Sequence, residues 1–487
     1  MNNNPSVYEI NTRVWLKRFG VKSLLEVPEK YWQDLKEKGF DFIWLMGVWK
    51  ACDSVVEKYC FEDDLVKSYE RALKDWQKTD VIGSPFAIDK YEINPMLGEG
   101  DDLKKLRKKL NNLGLGLILD FIPNHFGAGS SIIKTNPEVF LPVDKDFYGK
   151  ESHTYFKPDN SEKYFAHGRD PFFPAWQDTI QVNYYNETAR KFMTDVLLEL
   201  TNVCDGVRCD MAMLMLNNVF KNTWAGIVSA YNLEIPATEF WSDAIKTVKS
   251  KRRDFVFIAE AYWDLEWELQ QQGFNYTYDK RMTDRMRFGN VAGVRDHLHA
   301  GQIYQRKSVR FIENHDETRA LSALGKEREK AAAVIMSTIQ GMKLFYDGQF
   351  EGKKIKLPVQ LGREPNEPVV EDLKVFYDNL LSITKQEIFK NGNWLLLQTG
   401  SSWENNETFK NLLAWQLVLN DEKRIVIVNY SDIFSSCRIK LDMRDYPEEF
   451  VLKDLLNGQA YTRSSDETFI AGLYVELKPW HSHIFSF

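Results

Sequence analysis

Arg208 and Asp210 stand inside an apolar stretch, Asp205-Gly206-Val207-Arg208-Cys209-Asp210-Met211-Ala212, that follows a helical run from Phe192 to Val203 and reads as a short buried strand. An unpaired charge in a strand core is costly, so the two residues need a reason to be there. Two positions apart on a strand, they project to one face. An ion pair that only packs would account for them, because buried pairs are often merely structural. Three further segments shift that balance: Gly114 to His125 with Asp120 and Asn124, Phe255 to Glu260, and Val309 to Asp316 with His315. Each is an apolar run with polar groups at its C-terminal end. Gathered on one rim, such carboxylates can be driven apart in charge. The Arg beside Asp210 keeps that carboxylate ionised, while burial and nearby negative charge keep another protonated. That is the equipment for nucleophilic and acid–base catalysis.

Elements that bring four strand ends to one rim are those of a parallel α/β barrel, whose strand C-termini all open on the face that carries the site. The chain opens β, α, β: Val7 to Ile10, a helical spacing from Glu29 to Lys38, then Phe40 to Val48. Helical patterns recur at Asp101–Asn112, Asn186–Val203, Ala237–Lys251, Lys326–Gln340 and Asp372–Thr384. Phe274–Tyr278 and Gly341–Gln349 read as the sixth and eighth strands. Residues 126–185 show no helix–strand alternation but carry Gly, Pro, Asp and many aromatics, and a patternless segment of that length is usually functional. From about Gln386 the period changes to short alternating strands. The expected fold is therefore a (β/α)8 TIM barrel over residues 1–125 and 186–385, a small domain inserted after strand three over 126–185, and a C-terminal antiparallel β-sandwich over 386–487.

The four charged segments, in this order, resemble the four short motif regions of the α-amylase clan of retaining glycoside hydrolases, family 13. The resemblance implies that Asp210 is the nucleophile, Glu260 the general acid/base and Asp316 the carboxylate that stabilises the transition state. It implies sugar contacts for Arg208, His125 and His315, and supporting places for Asp120 and Asn124, the latter near a structural calcium in relatives. The stretch Gly83 to Gly98 is similar to the family's loop after strand two, which supplies an aromatic platform. Phe86 stands where many relatives have Tyr, and Tyr91 and Trp263 are further candidates for sugar contact. One departure concerns the Lys-His pair that often follows the nucleophile. Met213 and Leu214 stand there, which removes the usual acceptor contacts and weakens the case for calcium.

The implied chemistry is cleavage of an α-glucosidic bond through a covalent glycosyl-enzyme, with the two working carboxylates roughly 5 Å apart. No cofactor is needed for it. The expected substrate is a maltooligosaccharide or a starch-type glucan. Transfer to a sugar acceptor remains open beside hydrolysis. A non-catalytic barrel that binds sugar or a partner is disfavoured by the three retained carboxylates. A metal-dependent barrel enzyme using Asp120 and His125 is disfavoured by the ordered motif set.

Composition narrows the classes further. With 487 residues and 44% hydrophobic content the chain can build a large core and more than one domain. A net charge of −7 offers no footprint for nucleic acid or an anionic membrane. The five cysteines, Cys52, Cys60, Cys204, Cys209 and Cys437, show no C-x-x-C spacing, which favours a reducing compartment. Met1 to Pro5 has neither a basic region nor an apolar run, so no signal peptide is expected and the location reads as cytoplasmic. The Lys50–Val81 segment, rich in Lys, Glu and Asp, reads as a partly helical insertion, either a solvated excursion or a wall of the substrate cleft. As a wall it would narrow the cleft and favour short maltooligosaccharides over starch.

Overall fold

Eight apolar stretches pair in parallel and close into a barrel: β1 (Ser6–Asn11), β2 (Phe42–Met46), β3 (Gly116–Phe121), β4 (Gly206–Cys209), β5 (Val256–Ala259), β6 (Tyr276–Tyr278), β7 (Ser308–Arg310) and β8 (Met342–Tyr346). This computed structural model describes residues 2–159, 161–444 and 446–487. Neighbours in the barrel are neighbours in sequence, and β8 pairs with β1. Alternation divides the side chains. Val7, Trp44, Ile118, Ile258, Tyr278, Val309 and Leu344 pack together in the barrel interior. The intervening Ile43, Leu45, Leu117, Leu119, Val207 and Phe257 join the larger core beneath the helices. At Gly206 a side chain would come within 2.5 Å of the Val256 carbonyl oxygen, so the approach of β4 to β5 requires glycine there.

The helices between strands follow the periodic stretches. Glu187–Leu200 buries Ala189, Met193, Leu197 and Leu200 at helical spacing. Its start is fixed by Asn186, whose side-chain oxygen accepts from the Thr188 N–H at 2.8 Å. The seventh strand is shorter than its apolar run suggests. It ends at Arg310, and Phe311 to Asp316 cross the rim as a loop. There the Asn314 side-chain oxygen accepts from the N–H groups of Asp316 and Glu317, both at 2.9 Å, which fixes the turn carrying Asp316.

After β3 the chain forms short strands interspersed with short helical turns, Ile132–Thr135, Pro137–Val139 and Lys145–Lys150. His125–Gly127 pairs antiparallel with Thr179–Gln181, which brings both ends of the inserted segment together. Between them lies a small sheet of Pro142–Val143, Tyr164–Ala166 and Tyr155–Phe156. It is held by ring contacts such as Phe140–Phe165 and Phe156–His167. The Lys50–Val81 segment is partly helical, with Val56–Tyr59 and Asp63–Ala72.

The C-terminal part contains a six-stranded and a three-stranded antiparallel sheet. Leu412, Ala414, Ile425, Ile427, Cys437, Ile439, Leu473 and Val475 fill a separate core drawn from both. Among the described residues no helix is long and apolar enough to cross a membrane.

Candidate active site

Parallel register decides which charges meet. Cys209 of β4 pairs with Ala259 of β5, so the next residues, Asp210 and Glu260, leave the barrel side by side. On the other side Arg208 pairs with Asp120 of β3. Arg208, 1% exposed, then bridges both carboxylates. Its Nη1 lies 2.7 Å from Asp210 Oδ1, and its Nη2 lies 2.8 Å from Glu260 Oε2 without hydrogen-bond alignment. Nε donates to the Tyr278 hydroxyl at 3.3 Å, and Trp44, Phe86 and Tyr278 surround the guanidinium within 5.7 Å of its centre.

The three carboxylates occupy different electrostatic settings. Burial pushes Glu260 up to about 7. Arg208 opposes the shift, while Asp210 and Asp316 reinforce it. Glu260 Oε1 accepts from the Tyr262 hydroxyl at 3.0 Å, and Oε2 accepts from the Met211 N–H at 2.6 Å. Met211 offers that N–H from a left-handed backbone, φ 44°. Asp316 is enclosed by protein on most sides yet open to the cleft. Burial works against its charge, but His315 outweighs burial and holds the carboxyl well below the usual range. His315 Nε2 lies 3.0 Å from Asp316 Oδ2, and Nδ1 contacts the fully buried Glu9 of β1. Against burial, those two carboxylates raise His315 to about 10, so it is an imidazolium at neutral pH. Asp120 is raised to about 6 by burial, opposed by Arg208. It accepts from Trp44 Nε1 and from the Gly47 N–H, both at 3.1 Å.

Asp210, Glu260 and Asp316 share a cavity of about 670 Å³ with Phe86, His125, Tyr262 and Trp176. That volume suits a small ligand. Residues of the acidic insertion, Tyr59, Glu62, Asp64 and Leu65, form part of its lining, so the insertion is a wall of the cleft. His125, whose pKa burial lowers, faces the cavity beside Trp176 at a ring distance of 5.4 Å.

Other residues expected at the site do not line this cavity. Arg208 stands behind the carboxylates and does not line the cavity, because its nitrogens are turned to Asp210, Glu260 and Tyr278. His315 stacks on Phe86 at 5.5 Å and borders a neighbouring recess, with both ring nitrogens turned to carboxylates. Tyr91 does not line the cavity. Its hydroxyl donates to the Ile122 carbonyl oxygen at 2.9 Å and accepts from the Ile122 N–H at 2.8 Å, and its ring packs on Trp49 and Phe121. Trp263 is outside the cavity lining and packs edge-on against Phe172 at 5.0 Å, with φ 63°.

Asn124, the calcium candidate, already has a protein partner at its side-chain oxygen. Its side-chain oxygen accepts from Gln181 Nε2 at 2.9 Å, and the same nitrogen lies 3.0 Å from the main-chain oxygens of Asn124 and Val182. Three acceptors around one amide group set its orientation. Met213 and Leu214 are buried apolar neighbours of the site. Among the described residues no group of three or more His, Cys, Asp and Glu is placed to hold a metal ion.

Sequence reasoning missed Glu9, Tyr262 and Tyr278. Glu9 carried the same signal as Arg208, a charge within an apolar strand, in Val7-Tyr8-Glu9-Ile10. The two tyrosines had no such mark.

Comparison with known proteins agrees with this geometry. The alpha-amylase family model, described as alpha amylase, catalytic domain, matches residues 32–367. Alpha-amylase 2 of Dictyoglomus thermophilum is 24% identical over 370 residues, 71% of this chain and 60% of its own. An intracellular maltogenic amylase of Bacillus subtilis is 21% identical over 365 residues, 71% of this chain and 56% of its own. The chain thus spans less than two thirds of the length of these relatives. Among solved structures, a maltogenic alpha-amylase of Thermotoga neapolitana has the same fold, with a TM-score of 0.70, 20% identity and coverage of 100% of this chain and 99% of that one. An alpha-amylase of Geobacillus thermoleovorans complexed with acarbose has a TM-score of 0.66 at 16% identity, covering 99% and 98% of the two chains. From the match over residues 32–367 it follows that this chain belongs to the alpha-amylase family of glycoside hydrolases.

Proposed function

We propose that the protein cleaves α-glucosidic bonds of maltooligosaccharides with retention of configuration. Asp210 attacks the anomeric carbon, and Glu260 protonates the departing oxygen. Glu260 then takes a proton from the incoming water as the glycosyl–Asp210 ester is broken. Asp316 stays ionised and stabilises the positive charge that develops on the sugar ring. The observation that carries this reading is the pairing of Asp210 and Glu260 on one Arg208 guanidinium at a cavity where Glu260 is raised to about 7. Arg208 thereby pairs with the nucleophile at 2.7 Å, while burial and neighbouring carboxylates raise the acid to about 7, so that a protonated fraction persists near neutral pH.

The printed names of the relatives, alpha-amylase and maltogenic amylase, support a glucan substrate. Tyr59, Glu62 and Leu65 in the cavity lining support a preference for short chains over starch. Proton NMR of maltoheptaose digestion tests the reading. The first product should be the α-anomer, since two inversions at one carbon give net retention. A β-anomer appearing first would overturn the assignment of Asp210.

A further inference from the structure

The cleft is divided by charge. The cavity that holds Glu260 and Tyr262 is lined by Glu62, Asp64 and Asp178 besides the three central carboxylates, and its lining contains no Lys or Arg. Asp178 is raised to about 6 by burial and by Glu62. On the far side of Asp316 lies a second recess of about 530 Å³, bordered by His315 and Asp316 and lined by Arg71, Lys354 and Lys356. Lys356 Nζ donates to the Asp316 main-chain oxygen, which joins this basic arm to the rim of the site. Arg71 and Lys354 are exposed, and among the described residues neither forms an ion pair. The nearby Glu367 carboxylate is taken up by the N–H groups of Lys354 and Ile355.

We propose that the basic arm receives a phosphoryl group carried by the substrate, on the sugar whose anomeric carbon reacts or on units beyond it. The proposal rests on the reading above and deepens it. If Glu260 protonates the departing oxygen, the leaving part of the substrate lies in the acidic cavity. The recess past Asp316 is lined by neither Glu260 nor Asp210, so in this reading it takes the part of the substrate that does not leave. A dianionic phosphate ester is repelled by Glu62, Asp64 and Asp178 and attracted by one guanidinium and two ammonium groups. Arg offers it a two-pronged hydrogen-bond match, and Lys a point charge. A neutral glucan would leave these cations solvated, so the arm selects between substrates without taking part in bond cleavage.

Maltose and maltose 6′-phosphate are the probes. At low ionic strength kcat/KM for the phosphate ester should exceed that for maltose by about tenfold, as expected for charge-assisted hydrogen bonds at a partly exposed site. Rising salt should erase the gain. In Arg71→Gln/Lys354→Gln the ratio should fall to near one, with the rate on maltose unchanged. Calorimetry with the Asp210→Asn protein reads the same preference as binding, independently of turnover. No tighter binding of the ester than of maltose, or inorganic phosphate binding as tightly as the ester, would overturn the proposal. Failure of every neutral maltooligosaccharide to react, with the ester still preferred in binding, would overturn the α-glucan reading and leave the basic arm standing.

Discussion

Two arginines sit equally buried on well-separated strands of the barrel, and only one of them belongs to a site. Arg208 on β4 and Arg310 on β7 are each 1% exposed, and each follows a valine in a short strand. Arg310 contacts Asp279 through Nη1, the Gln305 side-chain oxygen through Nη2, and the Gln340 carbonyl oxygen through Nε at 3.0 Å. His297 Nε2 lies 2.9 Å from the same Asp279 oxygen. This cluster is closed, with Asp279 1% exposed and turned inward. The Arg208 cluster contains two carboxylates that also line an open cavity. Burial of charge is common to both. What separates them is carboxylate surface left for a ligand.

The largest effects should come from breaking each cluster at its acid. Asp210→Asn should abolish turnover, a loss of more than about a thousandfold, because no covalent intermediate forms on an amide. The variant should remain folded, since Arg208 keeps Glu260 as a partner. Asp279→Asn should do the opposite. It leaves Arg310 buried without its counter-charge and should cost about 3–5 kcal/mol of stability. Activity measured well below its unfolding transition should persist. Denaturant unfolding and initial rates, measured on both variants, decide between the two patterns. A folded, active Asp210→Asn enzyme would remove the distinction.

The contrast also shows what sequence could and could not reveal. Charges inside apolar runs were visible at Arg208, Asp210, Asp120, Glu260 and Asp316, and the same rule would have exposed Glu9. The order of strands and helices was visible because alternation and helical period are written in single segments. Register was not: nothing in either segment alone says that Cys209 meets Ala259, yet that pairing puts Asp210 beside Glu260. Which side chains are already satisfied was equally hidden. Tyr91 looked like a sugar contact because it lies in the loop after strand two, but Ile122 uses its hydroxyl twice. Residues 126–185 gave composition but no period, because their strands are only two or three residues long and rely on ring packing.

Acid behaviour offers the next sharpest test. Burial, with Asp210 and Asp316, places Glu260 at about 7, above the ordinary carboxylate value. The protonated acid is therefore present below that value and lost as pH rises through it. Turnover should fall on the alkaline side near pH 7. The associated folding contribution has the same sign, full below the ordinary value and lost as pH rises through about 7. Asp316, held low by His315, should not titrate across the neutral range. In Glu260→Gln the alkaline limb should disappear along with most of the rate on maltoheptaose. The loss should be smaller with an α-glucosyl fluoride, whose departure needs little proton assistance. An alkaline limb that survives in Glu260→Gln would show that another group supplies it.

A smaller effect should separate Tyr91 from the cavity. Tyr91→Phe removes a hydroxyl that is both donor and acceptor to Ile122. It leaves a buried carbonyl and N–H without that partner, at a cost of about 1–3 kcal/mol. The hydroxyl is turned away from the cavity, so kcat/KM should change little. A large rise in KM with unchanged stability would place Tyr91 in the substrate path and contradict the geometry.

The smallest expected effect belongs to the oxygen cluster around Gln181, whose own side-chain oxygen is buried without a hydrogen-bond partner. Nε2 of Gln181 lies 2.9–3.0 Å from the Asn124 side-chain oxygen and two main-chain oxygens, among which its two N–H groups are shared. A calcium ion would have to displace that amide and then find anionic ligands to offset its dehydration, since hard cations require six or more oxygens, several of them charged. Asn124 is neutral, and no carboxylate appears among the hydrogen-bond partners of the cluster. Chelation should therefore leave the thermal unfolding midpoint where it was, and added calcium should not raise it. Gln181→Glu sharpens the comparison, because it replaces the donor with a carboxylate facing three oxygens. That variant should be destabilised in chelator and should recover when calcium is added. A chelator-induced drop in the unmodified protein, reversed by calcium, would show that a cation already binds elsewhere in the fold.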